Sequence, residues 1–158
     1  MEDNTGHTRT VVIAMDSSPC AKKAFQWYVT NLHRPKDHVV VTSVVHVRDA
    51  FTTEQWQSLL RSIDSDMLSA NAEKYRHTLE LELEDLTTMM KQAKVSGRIE
   101  FVHSYNARKG ILAVVEDCKA NCLIVGSRGF KMFEKGILGT TCEELIQTSD
   151  VTIILCPN

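Results

Sequence analysis

Five short strand-like runs, separated by stretches of helical spacing, constrain this chain most. They are residues 10–15 (TVVIAM), 38–47 (HVVVTSVVHV), 98–103 (RIEFVH), 122–125 (CLIV) and 151–156 (VTIILC). The first, second, fourth and fifth are nearly continuous apolar runs rich in β-branched residues, the pattern of strands covered on both faces. Strands that alternate with helices along a chain predict a parallel sheet with helices on both sides.

The helical stretches carry their own punctuation. After the first run comes Asp16-Ser17-Ser18-Pro19, in which Ser17 or Ser18 suits an N-cap and Pro19 the first helical position. Ala21, Ala24, Phe25, Tyr28 and Leu32 then recur at helical spacing. Residues 53–95 read as mostly helical, with one stripe at Trp56, Leu59, Leu60 and Ile63 and another at Tyr75, Leu79, Leu83, Leu86, Met90 and Ala93. The more polar residues 62–71 between the stripes suit a kink, a loop or a break. Glu80, Glu82, Glu84 and Asp85 read as a solvated face. Ser96-Gly97 is expected to end that helix, glycine being the usual C-terminal residue. Asn106 is placed to cap the next one.

Length and charge narrow the function classes. A chain of 158 residues suits one domain, expected over 10–158 behind a short disordered lead at 1–9. A formal net charge of −2 supplies no basic excess for nucleic acid. No run approaches the ~20 apolar residues of a membrane span, and the polar start MEDNTGHTRT does not read as a secretory signal. Five scattered cysteines, an odd number, fit free thiols in a reducing compartment, so a cytoplasmic location is expected. Cys118 and Cys122 have no second Cys/His pair at zinc spacing and read as small buried hydrophobes.

Function is written most densely in residues 125–141, VGSRGFKMFEKGILGTT. Four of the seven glycines fall there: Gly126, Gly129, Gly136 and Gly139. Glycines at a strand end are often only turn formers. Here, however, Gly126 and Gly129 are followed, after nine intervening residues, by Gly139 and the hydroxyls of Thr140 and Thr141, where a helix begins. Glycine lets a ligand approach the backbone, and a helix N-terminus offers unpaired N–H groups to an anion. A phosphate is the ligand such a place suits. No Gly-Lys pair makes a P-loop, and no two glycines one residue apart make a dinucleotide fingerprint. Gly126-Ser127-Arg128-Gly129 is one residue short of a nucleophile elbow, so Ser127 is a poor nucleophile.

The pattern G-x-x-G-x9-G-[ST], with VVIAMDSS near the start, VVHV in the second run and VTIILCP at the end, closely resembles the ATP-binding branch of the universal stress protein family. The resemblance spans nearly the whole chain. It implies a five-stranded, doubly wound parallel sheet of order 3-2-1-4-5, which sets strands one and four side by side where the winding reverses. Ligands of open α/β sheets bind at such a point, at the carboxyl ends of the strands. The loops there carry Asp16 and Gly126.

By the same resemblance, Gly126, Gly129, Gly139, Thr140 and Thr141 cradle the ribose and phosphates of ATP or AMP. Asp16 approaches the ribose, the phosphates or a phosphate-bound Mg2+. Ala14 and Met15 line the adenine slot, backbone groups of Val47 meet the adenine edge, Val125 packs nearby and Arg128 lies over the phosphates. Lys131 and Lys135 add positive charge to the same loop, or else form a solvated one. The family often carries a small apolar residue in place of Thr141, a serine in place of Cys142, and Gly-x-Pro in place of Tyr105-Asn106-Ala107. The resemblance also implies a homodimer paired through the last strand, from Val151 to Cys156. The expected function is adenine-nucleotide binding in a stress response, with slow or no hydrolysis, since no general base other than Asp16 is evident. An interaction module without nucleotide turnover and a nucleotidyl-transfer enzyme are the alternatives.

Overall fold

The computed structural model describes residues 9–45, 65–127 and 140–157. Its elements are β1 (Arg9–Ala14), α1 (Pro19–Asn31), β2 (Asp37–Val45), α2 (Ser65–Gln92), β3 (Gly97–His103), α3 (Ala107–Asp117), β4 (Cys122–Gly126), α4 (Thr140–Thr148) and β5 (Thr152–Cys156). All four strand pairings are parallel, and the order is β3-β2-β1-β4-β5. The expected doubly wound sheet is therefore present, with β1 and β4 adjacent at the reversal.

The continuous apolar runs follow from burial on both faces. Along β1, Val11 and Ile13 join Val39, Val41 and Ile124 beneath α1 and the C-terminal part of α2, which add Phe25, Tyr28, Leu86 and Met90. Val12 alternates to the opposite face and meets Val40 and Leu123 beneath α3 and α4, with Ile111, Val114 and Leu145. A fully buried Val or Leu contributes about 1.5–3 kcal/mol, against about 1 kcal/mol for a typical helix cap. Among the described residues, no helix is long and apolar enough to cross a membrane.

Two caps stand where the sequence placed them. Ser18 is the N-cap of α1 and accepts a hydrogen bond from the Ala21 N–H at 3.2 Å, with Pro19 as the first helical residue. Asn106 caps α3, accepting from the Lys109 N–H at 3.1 Å.

The end of α2 differs from expectation. The left-handed residue is Lys94, at φ 54°, and not Gly97. Val95 N–H donates to the Met90 carbonyl and Lys94 N–H to that of Lys91, the paired bonds of a Schellman motif. Lys119, at φ 50°, ends α3 in the same way. Gly97 opens β3 opposite Val39 instead, and a Cβ there would sit 1.8 Å from the Val39 carbonyl oxygen. Close backbone approach, not helix termination, requires this glycine.

The stripe along α2 also shifts. Leu83 is exposed, and the core-facing place one residue earlier belongs to Glu82, which accepts a hydrogen bond from the buried Ser43 hydroxyl at 2.7 Å. Glu82 is half-buried and so leaves the solvated face expected for it. From Ser65 onward the helix is unbroken through the polar residues up to 71. Trp56, Leu59, Leu60 and Ile63 lie outside the described residues.

At the amino-terminal edge, the strand starts of β1 and β2 meet as the register pair Arg9 and Asp37. The Asp37 side chain is fully buried. Its Oδ1 accepts from Arg9 Nε at 2.8 Å; its Oδ2 accepts from Arg9 Nη2 at 2.6 Å, from the Tyr28 hydroxyl at 2.7 Å and from the Arg34 N–H at 3.0 Å. Arg9 also donates to the Leu32 carbonyl. Burial alone would raise the Asp37 pKa, but the hydrogen bonds from Arg9, Tyr28 and Arg34 outweigh it and hold the carboxyl at about 2. This node ties β1, α1 and β2 together at the end of the sheet opposite the candidate site.

Candidate functional site at the carboxyl edge of the sheet

Where β1 ends, Ala14 pairs with Thr42, and the Met15 N–H donates to the Thr42 carbonyl at 2.8 Å. Ala14 is half-buried on the α3/α4 side. The Met15 side chain belongs to the opposite core, 3% exposed. Asp16 then emerges into solvent. Its Oδ1 accepts from the Ser18 N–H at 3.0 Å, a local turn that leads straight into the α1 cap. Ser17 between them takes φ 62°, uncommon for a residue with a side chain. The turn thus holds the exposed Asp16 carboxylate at the carboxyl end of β1, and among the described residues its Oδ2 makes no hydrogen bond.

Where β4 ends, Val125 is buried among the α3/α4 residues and Gly126 is the last strand residue. A Cβ on Gly126 would lie 2.9 Å from the carbonyl carbon, oxygen and Sγ of Cys20. Gly126 is therefore required first by the packing of β4 on the start of α1. Thr140, exposed, and Thr141, half-buried, open α4. The next residue, Cys142, is buried and donates from Sγ to the Gly126 carbonyl at 2.8 Å, which joins the helix start to the strand end. Burial, then the nearby Cys20 and the Asp16 carboxylate, pushes the Cys142 thiol up to about 11, so it keeps its proton at neutral pH.

The structure thus brings Asp16, Gly126 and the start of α4 close together where the adjacent strands β1 and β4 end. Val47, Arg128, Gly129 and Gly139 lie outside the described residues, as do Lys131 and Lys135. Chemically, this end of the sheet combines the half-buried Ala14 and the buried Val125 with the start of a helix and a carboxylate whose Oδ2 makes no hydrogen bond among the described residues. Such a place takes a flat apolar group and an anion together.

Catalytic chemistry has less support. Ser127 is buried, its N–H donates to the Cys156 carbonyl at 2.8 Å, and its hydroxyl lies 3.8 Å from Cys20 Sγ. No base stands beside it among the described residues. Nor do they contain a group of three or more His, Cys, Asp or Glu residues able to hold a metal ion. What sequence reading missed is that Cys20, Cys142 and Cys156 surround Gly126, Cys142 from the α3/α4 side and Cys156 from the neighbouring strand. Their spacing in the chain carries no signal of that; only the strand order does. On the rim, Tyr105 is strongly exposed, in a turn where the Ser104 hydroxyl bonds the Asn106 carbonyl.

The family model described as the universal stress protein family matches residues 7–157. No curated protein matches the chain. Solved structures of similar fold include the universal stress protein UspA from Lactobacillus plantarum, at TM-score 0.65 and 16% identity, covering 95% of this chain and 98% of that one. Another is a universal stress protein family protein from Arabidopsis thaliana with AMP bound, at TM-score 0.61 and 16% identity, covering 96% of this chain and 92% of that one. A third is a universal stress protein in complex with cAMP, at TM-score 0.61 and 15% identity, covering 93% and 95%.

Proposed function

The chain belongs to the universal stress protein family, and from that premise we propose that it is an adenine-nucleotide-binding stress-response protein with slow or no hydrolysis. One observation carries the reading. The carboxylate of Asp16, the end of β4 at Gly126 and the start of α4 converge at the point where the sheet reverses its winding. Two proteins of the same fold hold AMP and cAMP, which supports an adenine nucleotide as the ligand here.

In this reading the residues act as follows. The N–H groups of the first turn of α4 and the hydroxyls of Thr140 and Thr141 receive phosphate oxygens. Gly129 and Gly139 admit the phosphates to the backbone, and Arg128 adds charge over them. Ala14 and the main chain of Met15 line the adenine slot, the Met15 side chain being turned into the opposite core; Val125 packs nearby, backbone groups of Val47 meet the adenine edge, and Asp16 meets the ribose. The free oxygen of Asp16 also fits a Mg2+ carried in on the phosphates, since that ion is held by one or two carboxylates together with substrate oxygens. Its charge would offset that of the phosphates. Hydrolysis is slow because the same carboxylate is engaged by the ligand, and among the described residues no second base is placed to activate water.

The proposal includes a single domain, a cytoplasmic location and a homodimer. β5 is an edge strand whose Ile153 and Ile154 are half-buried and whose Leu155 is exposed, and apolar edges of this kind need covering. Native mass spectrometry after incubation with Mg-ATP reads assembly and ligand at once. A dimer of the 17.8 kDa chain carrying ATP or AMP is the expected species. A bare monomer would overturn the proposal. Conversion of ATP to ADP many times per second would overturn its low-turnover part.

A further inference from the structure

One peptide at the site is held on three sides. The Gly126 backbone lies so close to Cys20 that no Cβ fits between them. The Gly126 carbonyl accepts from Cys142 Sγ at 2.8 Å. The N–H at the other end of the same peptide, on Ser127, donates to the Cys156 carbonyl at 2.8 Å. A planar peptide can rotate only about the bonds that flank it, so fixing its oxygen and its N–H together removes that freedom. Of the three holds, the packing on Cys20 and the bond to Cys156 are properties of the core and the strand ladder. The bond from Cys142 alone reaches from the helix that begins the phosphate side of the crevice. It joins residues sixteen apart, across the stretch that contains Gly129 and Gly139.

We infer that Cys142 is a positioning residue for nucleotide binding: its thiol fixes the Gly126–Ser127 peptide and the first turn of α4 relative to each other. The inference rests on the nucleotide reading above. The thiol is buried, with the Gly126 carbonyl as its acceptor. It acts as a donor, and its protonated state at neutral pH lets it do so. A hydroxyl in the same place keeps the donor, whereas an apolar side chain of similar size keeps the packing and loses the bond.

That difference provides the test. Mg-ATP is titrated into wild type, Cys142→Ser and Cys142→Val, and the amide exchange of Ser127 is followed in the ligand-free proteins, with Leu145 in the middle of α4 as the internal standard. Cys142→Ser is expected to bind within about 3-fold of wild type. Cys142→Val is expected to bind about 10-fold more weakly, the scale of one net hydrogen bond, with faster exchange at Ser127 and unchanged exchange at Leu145. If Cys142→Val binds like wild type, the role of Cys142 is overturned while the nucleotide site stands. If Cys142→Ser is the weaker binder, packing and not donation is what matters, and the inference fails. Wild-type protein that binds no nucleotide overturns the reading beneath it, whatever the variants do.

Discussion

Asp37→Ala is expected to destabilise the fold by about 3–5 kcal/mol, the range for removing one partner of a buried ion pair. The carboxylate is fully buried and receives four hydrogen bonds, from Arg9 twice, from Tyr28 and from the Arg34 N–H. Alanine removes the acceptor of the half-buried Arg9 guanidinium, of the Tyr28 hydroxyl and of the Arg34 N–H, leaving Arg9 its bond to the Leu32 carbonyl and Tyr28 its contact with His33 Nδ1 at 3.0 Å. For a domain of this size each kcal/mol lowers the melting temperature by roughly 2–4 °C, so a drop of about 10 °C is the expected calorimetric result. A variant that melts with wild type would remove Asp37 from the account of stability.

The same node sets an acid limit. The folded carboxyl sits at about 2 and its ordinary value is 3.8, so the unfolded chain binds this proton more readily than the folded one. The stability from Asp37 is therefore whole above about pH 4 and is lost as pH falls through about 2. Asp37→Asn should flatten the denaturation curve across that window and leave its slope above it unchanged.

Gly97→Ala carries the other large expected effect. The added methyl would lie 1.8 Å from the Val39 oxygen, 2.6 Å from its carbonyl carbon and 2.8 Å from its nitrogen. All three are backbone atoms of a central strand, so no rotamer change relieves the contact. β2 and β3 must move apart at their first register pair, Val39 with Gly97. Overpacking a core commonly costs about 1–3 kcal/mol, and a clash against backbone belongs at or above the top of that range. Chemical denaturation is expected to show a lower midpoint with an unchanged slope, as for a folded protein made less stable. A midpoint equal to wild type would contradict the close approach of the two strands.

These two sites also show what the amino-acid order could and could not reveal. The inner strands were legible because burial on both faces favours unbroken apolar runs, as in Val11, Val12 and Ile13. The starts of α1 and α3 were legible because a cap is a local event, decided within three residues by Ser18 and Asn106. The strand order entered through family resemblance, and the structure bears it out. The Asp37 node was not legible: Arg9 stands 28 residues away and meets Asp37 only after β1 and β2 pair. Gly97 looked like a helix terminator because glycine usually is one. Lys94 accepted the left-handed position instead, and the glycine answers to a strand on the far side of α2. Leu83 and Glu82 exchanged places because Ser43 supplies a partner that makes the inward carboxylate tolerable.

For the candidate site, Asp16, Gly126 and the threonines of α4 were visible as a glycine-rich strand end and an acidic turn. Their convergence depends on β1 lying beside β4, which no local pattern encodes. The thiols that support them were invisible for the same reason.

The measurement that tests the central claim most directly is isothermal titration of Mg-ATP against wild type and Gly129→Val, in protein freed of co-purified nucleotide. Gly129 is the middle glycine of the motif, between Gly126 at the strand end and Gly139 before α4, and valine denies the backbone to a phosphate. The account predicts binding by wild type and none by the variant, with the ligand-free melting temperature retained. Absence of binding by wild type, or equal binding by both, would contradict it.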